Sequence, residues 1–256
     1  VSNGPGLNGS SDVNGSAAAD GGRYGFQVVP VAFDEYREAR RYPPIGASAE
    51  AEAVAGLLGR LGGELVVWDR AEGRDLAATD ARLREWRHGA FGNSSVLLWI
   101  GHGRSNQDDA WLVVPGRDGT DRDTELNPAT LAEHVAGHVR ERGAGPEWTL
   151  VVVEACGAAW FVDLLEAELR RRRAVRGVVL VATGKDQGLG YLAVFREALS
   201  DVLDTFTDND SEISLRDLAG RLEDRLAREQ RGTVSSHGLA GVRRLTRAAL
   251  LPEPVA

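Results

Sequence analysis

The stretch Thr149-Leu150-Val151-Val152-Val153-Glu154-Ala155-Cys156-Gly157 decides the reading of this chain. Its β-branched apolar run suits a strand covered on both faces of a parallel sheet, and it ends on the single cysteine of the sequence. A second run of the same kind, Ser95-Val96-Leu97-Leu98-Trp99-Ile100, stops on Gly101-His102-Gly103. Parallel strands release their last residues at one edge, where open α/β sheets bind ligands, so an imidazole and a thiol are expected to arrive at the same place. The separation of His102 and Cys156, 54 positions, leaves room for a crossover helix.

Strand and helix signals alternate outward from these two runs. Residues 1–22 are rich in Gly, Ser, Asn and Ala and read as a flexible tail or linker. A single domain is expected over 23–250, with a short tail at 251–256. Tyr24–Phe33 reads as a central first strand. Ser48 is a candidate N-cap for a helix carrying Ala51, Val54, Ala55, Leu58 and Leu61 on one face. Glu64–Trp68 is expected to be the second strand, and Leu76–Trp86 a helix with Leu76, Leu83 and Trp86 on one face. After His102 comes a polar excursion, 104–127, with Ala110–Val114 as a short strand or hairpin, and then a helix over Pro128–Arg142. Beyond Cys156 the periodicity predicts helices over Ala159–Arg173, Tyr191–Phe206 and Leu215–Glu229, a fifth strand over Gly177–Ala182 and an edge-like sixth over Val234–Val242. This alternation predicts a three-layer α/β sandwich, a mostly parallel sheet of about six strands with helices on both faces.

The composition fits one enzyme-sized domain. With 256 residues, 43% of them apolar, the chain can bury one sizeable core. A net charge of −8 argues against holding nucleic acid or an anionic membrane by bulk electrostatics. No run approaches the roughly 18 apolar residues of a spanning helix, and no basic and apolar leader is read at the amino terminus. One cysteine forms no internal disulfide, so a cytoplasmic location is expected.

An apolar block ending in His-Gly, followed about 50 residues later by one ending in Ala-Cys, resembles the caspase-like cysteine peptidases, the group of caspases, metacaspases and bacterial relatives. The resemblance spans about 24–245 and implies the caspase-type sheet and a polypeptide substrate. It makes Cys156 the nucleophile and His102 the general base and acid, with the backbone N–H groups of Gly103 and Cys156 as oxyanion donors. By resemblance, Glu154 faces the primary specificity pocket, where an acid accompanies cleavage after Arg, and less often Lys. Gly46-Ala47-Ser48-Ala49-Glu50-Ala51 is similar to the family's Gly-Ala-x-Asn-Asp-Ala motif and puts Glu50 on a second pocket acid, although Glu50 also suits a helix's first turn. Ala49 replaces the usual Asn, and Gly157-Ala158-Ala159 replaces the common His-Ser-Gly after the nucleophile.

No cofactor is required by this chemistry. The acidic loop Asp118, Asp121, Asp123 and Glu125 is a candidate for calcium activation, as in some metacaspases, against the plainer alternative of a solvated loop. Asp208–Glu212 reads as a polar turn, because Ile213 and Ala219 stand where a calcium loop needs Gly and Glu. His134 and His138 lie four apart with no cysteine cluster and are expected on a solvated helix face, with no metal. An activator or sensor protein is an expected partner, and the arginines of 117–122 and 170–173 are candidate self-cleavage sites. Two other readings stay open: a CHAT-type peptidase of other specificity, and a silent scaffold or signal-binding module on the same fold.

Overall fold

The computed structural model describes residues 25–69, 72–89, 94–117, 122–183, 192–206, 212–242 and 244–246. The two runs that opened the reading become neighbouring strands, β3 (Ser95–Ile100) and β7 (Thr149–Glu154), with all six residues of each buried. They lie in the middle of a six-stranded sheet flanked by β1 (Phe26–Ala32), β2 (Gly63–Leu65), β8 (Val178–Thr183) and β10 (Gly232–His237). Its order is β10-β8-β7-β3-β1-β2. All pairings are parallel except β10 with β8.

Alternation along the strands splits the core into two layers. Val96, Leu98, Ile100, Leu150 and Val152 face α1 (Ala47–Gly59), α5 (Val194–Asp204) and α6 (Leu215–Arg228). Leu97, Trp99, Val151 and Val153 face α2 (Leu76–Arg87), α3 (Pro128–Glu141) and α4 (Ala158–Arg171). The expected three-layer sandwich is thus the observed one. A separate hairpin sheet, β4 (Gly103–Ser105), β5 (Ala110–Val114) and β6 (Thr124–Leu126), is inserted after β3.

Pro30 sits inside β1, where a lost donor would normally break the ladder. Phe26 N–H points to Gly62 on the β2 side and Gln27 N–H to Ser94 on the β3 side. The missing donor of Pro30 therefore falls on the β2 side, beyond the last β2 partner, Val28 with Leu65.

Several local expectations are corrected. The second strand stops at Leu65 instead of Trp68, and Val67 is 72% exposed. Ser48 lies within α1, not at its N-cap; Asp34, just past β1, accepts from the Ser48 backbone N–H at 2.9 Å and from its hydroxyl. Leu76 is left at the surface while Arg82 is buried, its guanidinium donating to the Val66 carbonyl at 2.6 Å. His134 and His138 are buried instead of solvated, because α3 packs between α2 and α4. Arg170 and Arg171 belong to the last turn of α4 and pair with Glu166 and Glu168, so the first half of the candidate segment 170–173 is helical. The proposed tails and the 208–211 part of the polar turn lie outside the described residues.

Candidate active site

Each pairing of β3 with β7 joins residues 54 positions apart, from Ser95 with Thr149 to Ile100 with Glu154. His102 and Cys156 have the same separation, each two residues past the end of its strand. The ladder continues one step, with Gly101 N–H donating to the Glu154 carbonyl at 3.2 Å. Adjacent strands run about 4.8 Å apart.

Glycines make this approach possible. A Cβ on Gly103 would stand 2.3 Å from the Cys156 carbonyl oxygen, so no other residue fits between the two strand ends. Gly157 has φ of +69° and opens α4 directly after the cysteine. Cys156 is a thiol, half-buried, at the mouth of that turn.

The orientation of His102 is set by residues that sequence reasoning did not single out. Its Nε2 lies 2.8 Å from the Pro43 carbonyl oxygen. A carbonyl only accepts, so Nε2 carries the proton and Nδ1 is the basic nitrogen. The His102 backbone N–H donates to the Tyr36 hydroxyl at 2.9 Å, and the Tyr36 and Tyr42 rings pack against the imidazole at 4.8 and 5.5 Å between centroids. Burial pushes the Tyr36 phenol up, keeping it protonated at neutral pH. Beside it, a cleft of about 980 Å³ runs over the carboxyl end of β1, lined by Tyr36, Ile45, Arg74 and Pro115 among others.

Glu154 is only 2% exposed and lies on the α1/α5 side of the sheet. Burial, with the charge of nearby Glu50 added, pushes its carboxyl up to about 8. One oxygen accepts from the Val194 backbone N–H at 2.9 Å; the other, Oε2, is buried with no hydrogen-bond partner among the described residues. The donor is aimed by Ala193, held at φ +76° where α5 begins. A non-glycine residue adopts that conformation at a cost of about 1–2 kcal/mol.

The fold therefore brings Glu50 and Glu154 to one location, as the motif reading expects. It also adds a residue that reading missed. Arg196, on the first turn of α5, donates from Nε to both Glu50 oxygens at 3.0 Å. At neutral pH the two acids thus hold one internal guanidinium and one retained proton.

The acidic loop is only partly described, since Asp118 and Asp121 lie outside the described residues. Asp123 accepts backbone N–H groups from Arg37, Glu38 and Gly116, and Glu125 pairs with Arg104 at 2.6 Å. Among the described residues no group of three His, Cys, Asp or Glu side chains is arranged to hold a metal. No described helix is long and apolar enough to cross a membrane.

No protein-family model and no curated protein sequence matches the chain. Solved structures do match in shape. Caspase-1 from Spodoptera frugiperda superposes with a TM-score of 0.54 at 11% identity, over 83% of this chain and 86% of that one. The Drosophila initiator caspase Dronc gives a TM-score of 0.52 at 12% identity, over 96% and 94%. The fold is that of the caspases. At this identity the likeness speaks for architecture alone.

Proposed function

We propose that this chain is a caspase-like cysteine endopeptidase that cleaves peptide bonds after basic residues, Arg more readily than Lys. The observation that carries the proposal is the shared register of His102 and Cys156 at the carboxyl edge of β3 and β7, with the imidazole tautomer fixed by Pro43. His102 Nδ1 takes the thiol proton, and the Cys156 thiolate attacks the scissile carbonyl carbon. The oxyanion collects hydrogen bonds from the Gly103 and Cys156 backbone N–H groups. His102 then returns the proton to the departing amine, and a water that it deprotonates hydrolyses the thioester.

Glu50 and Glu154 would receive the basic side chain. A buried carboxylate without a cation is costly, which is why Glu154 holds its proton in the resting protein. A substrate guanidinium would draw that proton off and compete with Arg196 for Glu50. The resting pocket is thus self-occupied, which also favours the reading of a latent enzyme awaiting an activator.

The test is turnover of fluorogenic peptides ending in Arg, Lys or Asp by wild type and Cys156→Ala, with and without calcium. Turnover of the Arg peptide that disappears in the variant supports the proposal. Preference for the Asp peptide retains a peptidase and removes the role given to Glu154. A calcium response would assign the acidic loop.

A further inference from the structure

The opposite, amino-terminal edge of the sheet carries a hollow of about 240 Å³ where α3 and α4 end, lined by Arg140, Arg142, Arg173 and Arg176 and, among the described residues, by a single carboxylate, Glu147. In a chain of net charge −8 this concentration of one sign is unexpected. The neighbouring arginines behave differently: Arg170, Arg171 and Arg172 are each in an ion pair with Glu166 or Glu168.

Arg142 forms the floor. It is buried, and its two terminal nitrogens donate to the Glu147 and Arg176 backbone carbonyls. Neutral carbonyls hold the guanidinium in place without cancelling its charge. Gly177, at φ +67°, makes room for it, since a Cβ there would meet both terminal nitrogens at 3.0 Å. Burial lowers the Arg142 pKa only to about 10, so the charge persists at neutral pH.

The rim supplies an independent sign. The residue after a helix often turns left-handed and is then usually glycine. After α3 that residue is Gly143, at φ +71°. After α4 it is Arg173, at φ +55°, with its side chain lining the hollow. A strained arginine where glycine would be easier indicates that the guanidinium is wanted there. The carboxyl ends of α3 and α4 contribute partial negative charge of about one half each, too little even together with the Glu147 carboxylate to offset four guanidinium groups.

We propose that this hollow binds a phosphate group, as inorganic phosphate or as the phosphate of a small metabolite, with Arg140, Arg173 and Arg176 as its ligands and Arg142 as the fixed charge beneath. Arginine's planar fork suits tetrahedral oxyanions. The volume admits a phosphate with little attached to it.

Phosphorus NMR titrations of the full chain with inorganic phosphate and with ribose 5-phosphate, at ionic strength held constant with sodium chloride, test this. Saturable binding is expected, weakened about tenfold or more by Arg176→Gln, since a charged hydrogen bond lost is worth that much. Arg173→Gly should weaken binding similarly while raising thermal stability, because the left-handed strain is relieved. Arg171→Ala, which removes an ion-paired arginine from the same helix end, should leave the affinity unchanged. Tighter binding of the ester assigns a metabolite, and tighter binding of phosphate assigns the free ion. The proposal fails if neither ligand saturates, if Arg173→Gly and Arg176→Gln bind as wild type does, or if Arg171→Ala weakens binding equally.

Discussion

Two polar clusters interrupt the apolar core, and they differ in whether their polar atoms are satisfied. Under the α2/α3 face, Trp86 Nε1–H donates to Ser95 Oγ at 2.9 Å and Ser95 lies 3.0 Å from His138 Nε2. His138 Nδ1 completes the ring at 3.0 Å from the Trp86 carbonyl, and the two side chains stack with centroids 4.5 Å apart. At the carboxyl edge, His102 has Nε2 committed to Pro43, and Glu154 leaves one oxygen unmatched. The first cluster uses its hydrogen bonds to close the core. The second keeps acceptors in reserve, at a cost in stability, where a ligand could complete them. A histidine that spends both nitrogens on neighbours holds structure together; one that spends a single nitrogen can still move a proton.

Exchanging the roles is the sharpest way to break this contrast. His102→Ala should reduce peptide turnover by about 10²–10⁴-fold with little change in melting temperature, the range expected for a lost general base. His138→Ala should do the reverse, leaving kcat near wild type in the folded fraction. Comparable loss of turnover in both variants would erase the distinction. Ser95→Ala, a smaller change, strands the Trp86 N–H and His138 Nε2 and should destabilise the fold by about 3 kcal/mol in urea titrations.

Glu154 sharpens the same contrast through pH. Its carboxyl titrates near 8 in the folded chain, far above the ordinary carboxylate value of about 4.3. Between those values the folded protein binds the proton and the unfolded chain does not, so stability falls as pH rises through this window. Glu154→Gln lacks that loss. Its melting temperature should match wild type near pH 4 and exceed it by roughly 5 °C or more above pH 8. Turnover of an Arg peptide relative to one with a neutral residue there should rise through pH 8 in wild type and stay flat in the variant. The ratio cancels titration of the dyad itself.

The smallest effects are expected around the pocket's own cation and the histidine's support. Arg196→Gln should lower KM for an Arg peptide several-fold, because Glu50 no longer has an internal partner to exchange. An unchanged KM would mean that substrate never reaches Glu50. Tyr36→Phe removes the acceptor of the His102 N–H and should lower kcat only a few-fold, with KM unaffected.

The sequence alone determined the sheet and its two central strands. Val96–Ile100 and Leu150–Val153 are apolar throughout, as a strand covered on both faces requires. The glycines around His102 and Cys156 were likewise visible, and the close approach of Gly103 to the Cys156 carbonyl explains one of them. Local pattern failed where burial depends on what packs alongside. His134 and His138 read as a solvated pair because no metal-site motif or cysteine cluster accompanies them in sequence, yet α2 and α4 close over that face. The tertiary structure also decided the partners of each functional group. Pro43 lies 59 positions from His102, Arg196 lies 146 from Glu50, and Val194 lies 40 from Glu154. Two of these contacts involve the backbone, a carbonyl that every residue type supplies and an N–H that every type but proline supplies. Periodicity reports which face of an element is buried; which donor meets which acceptor across the fold depends on where distant segments come to rest.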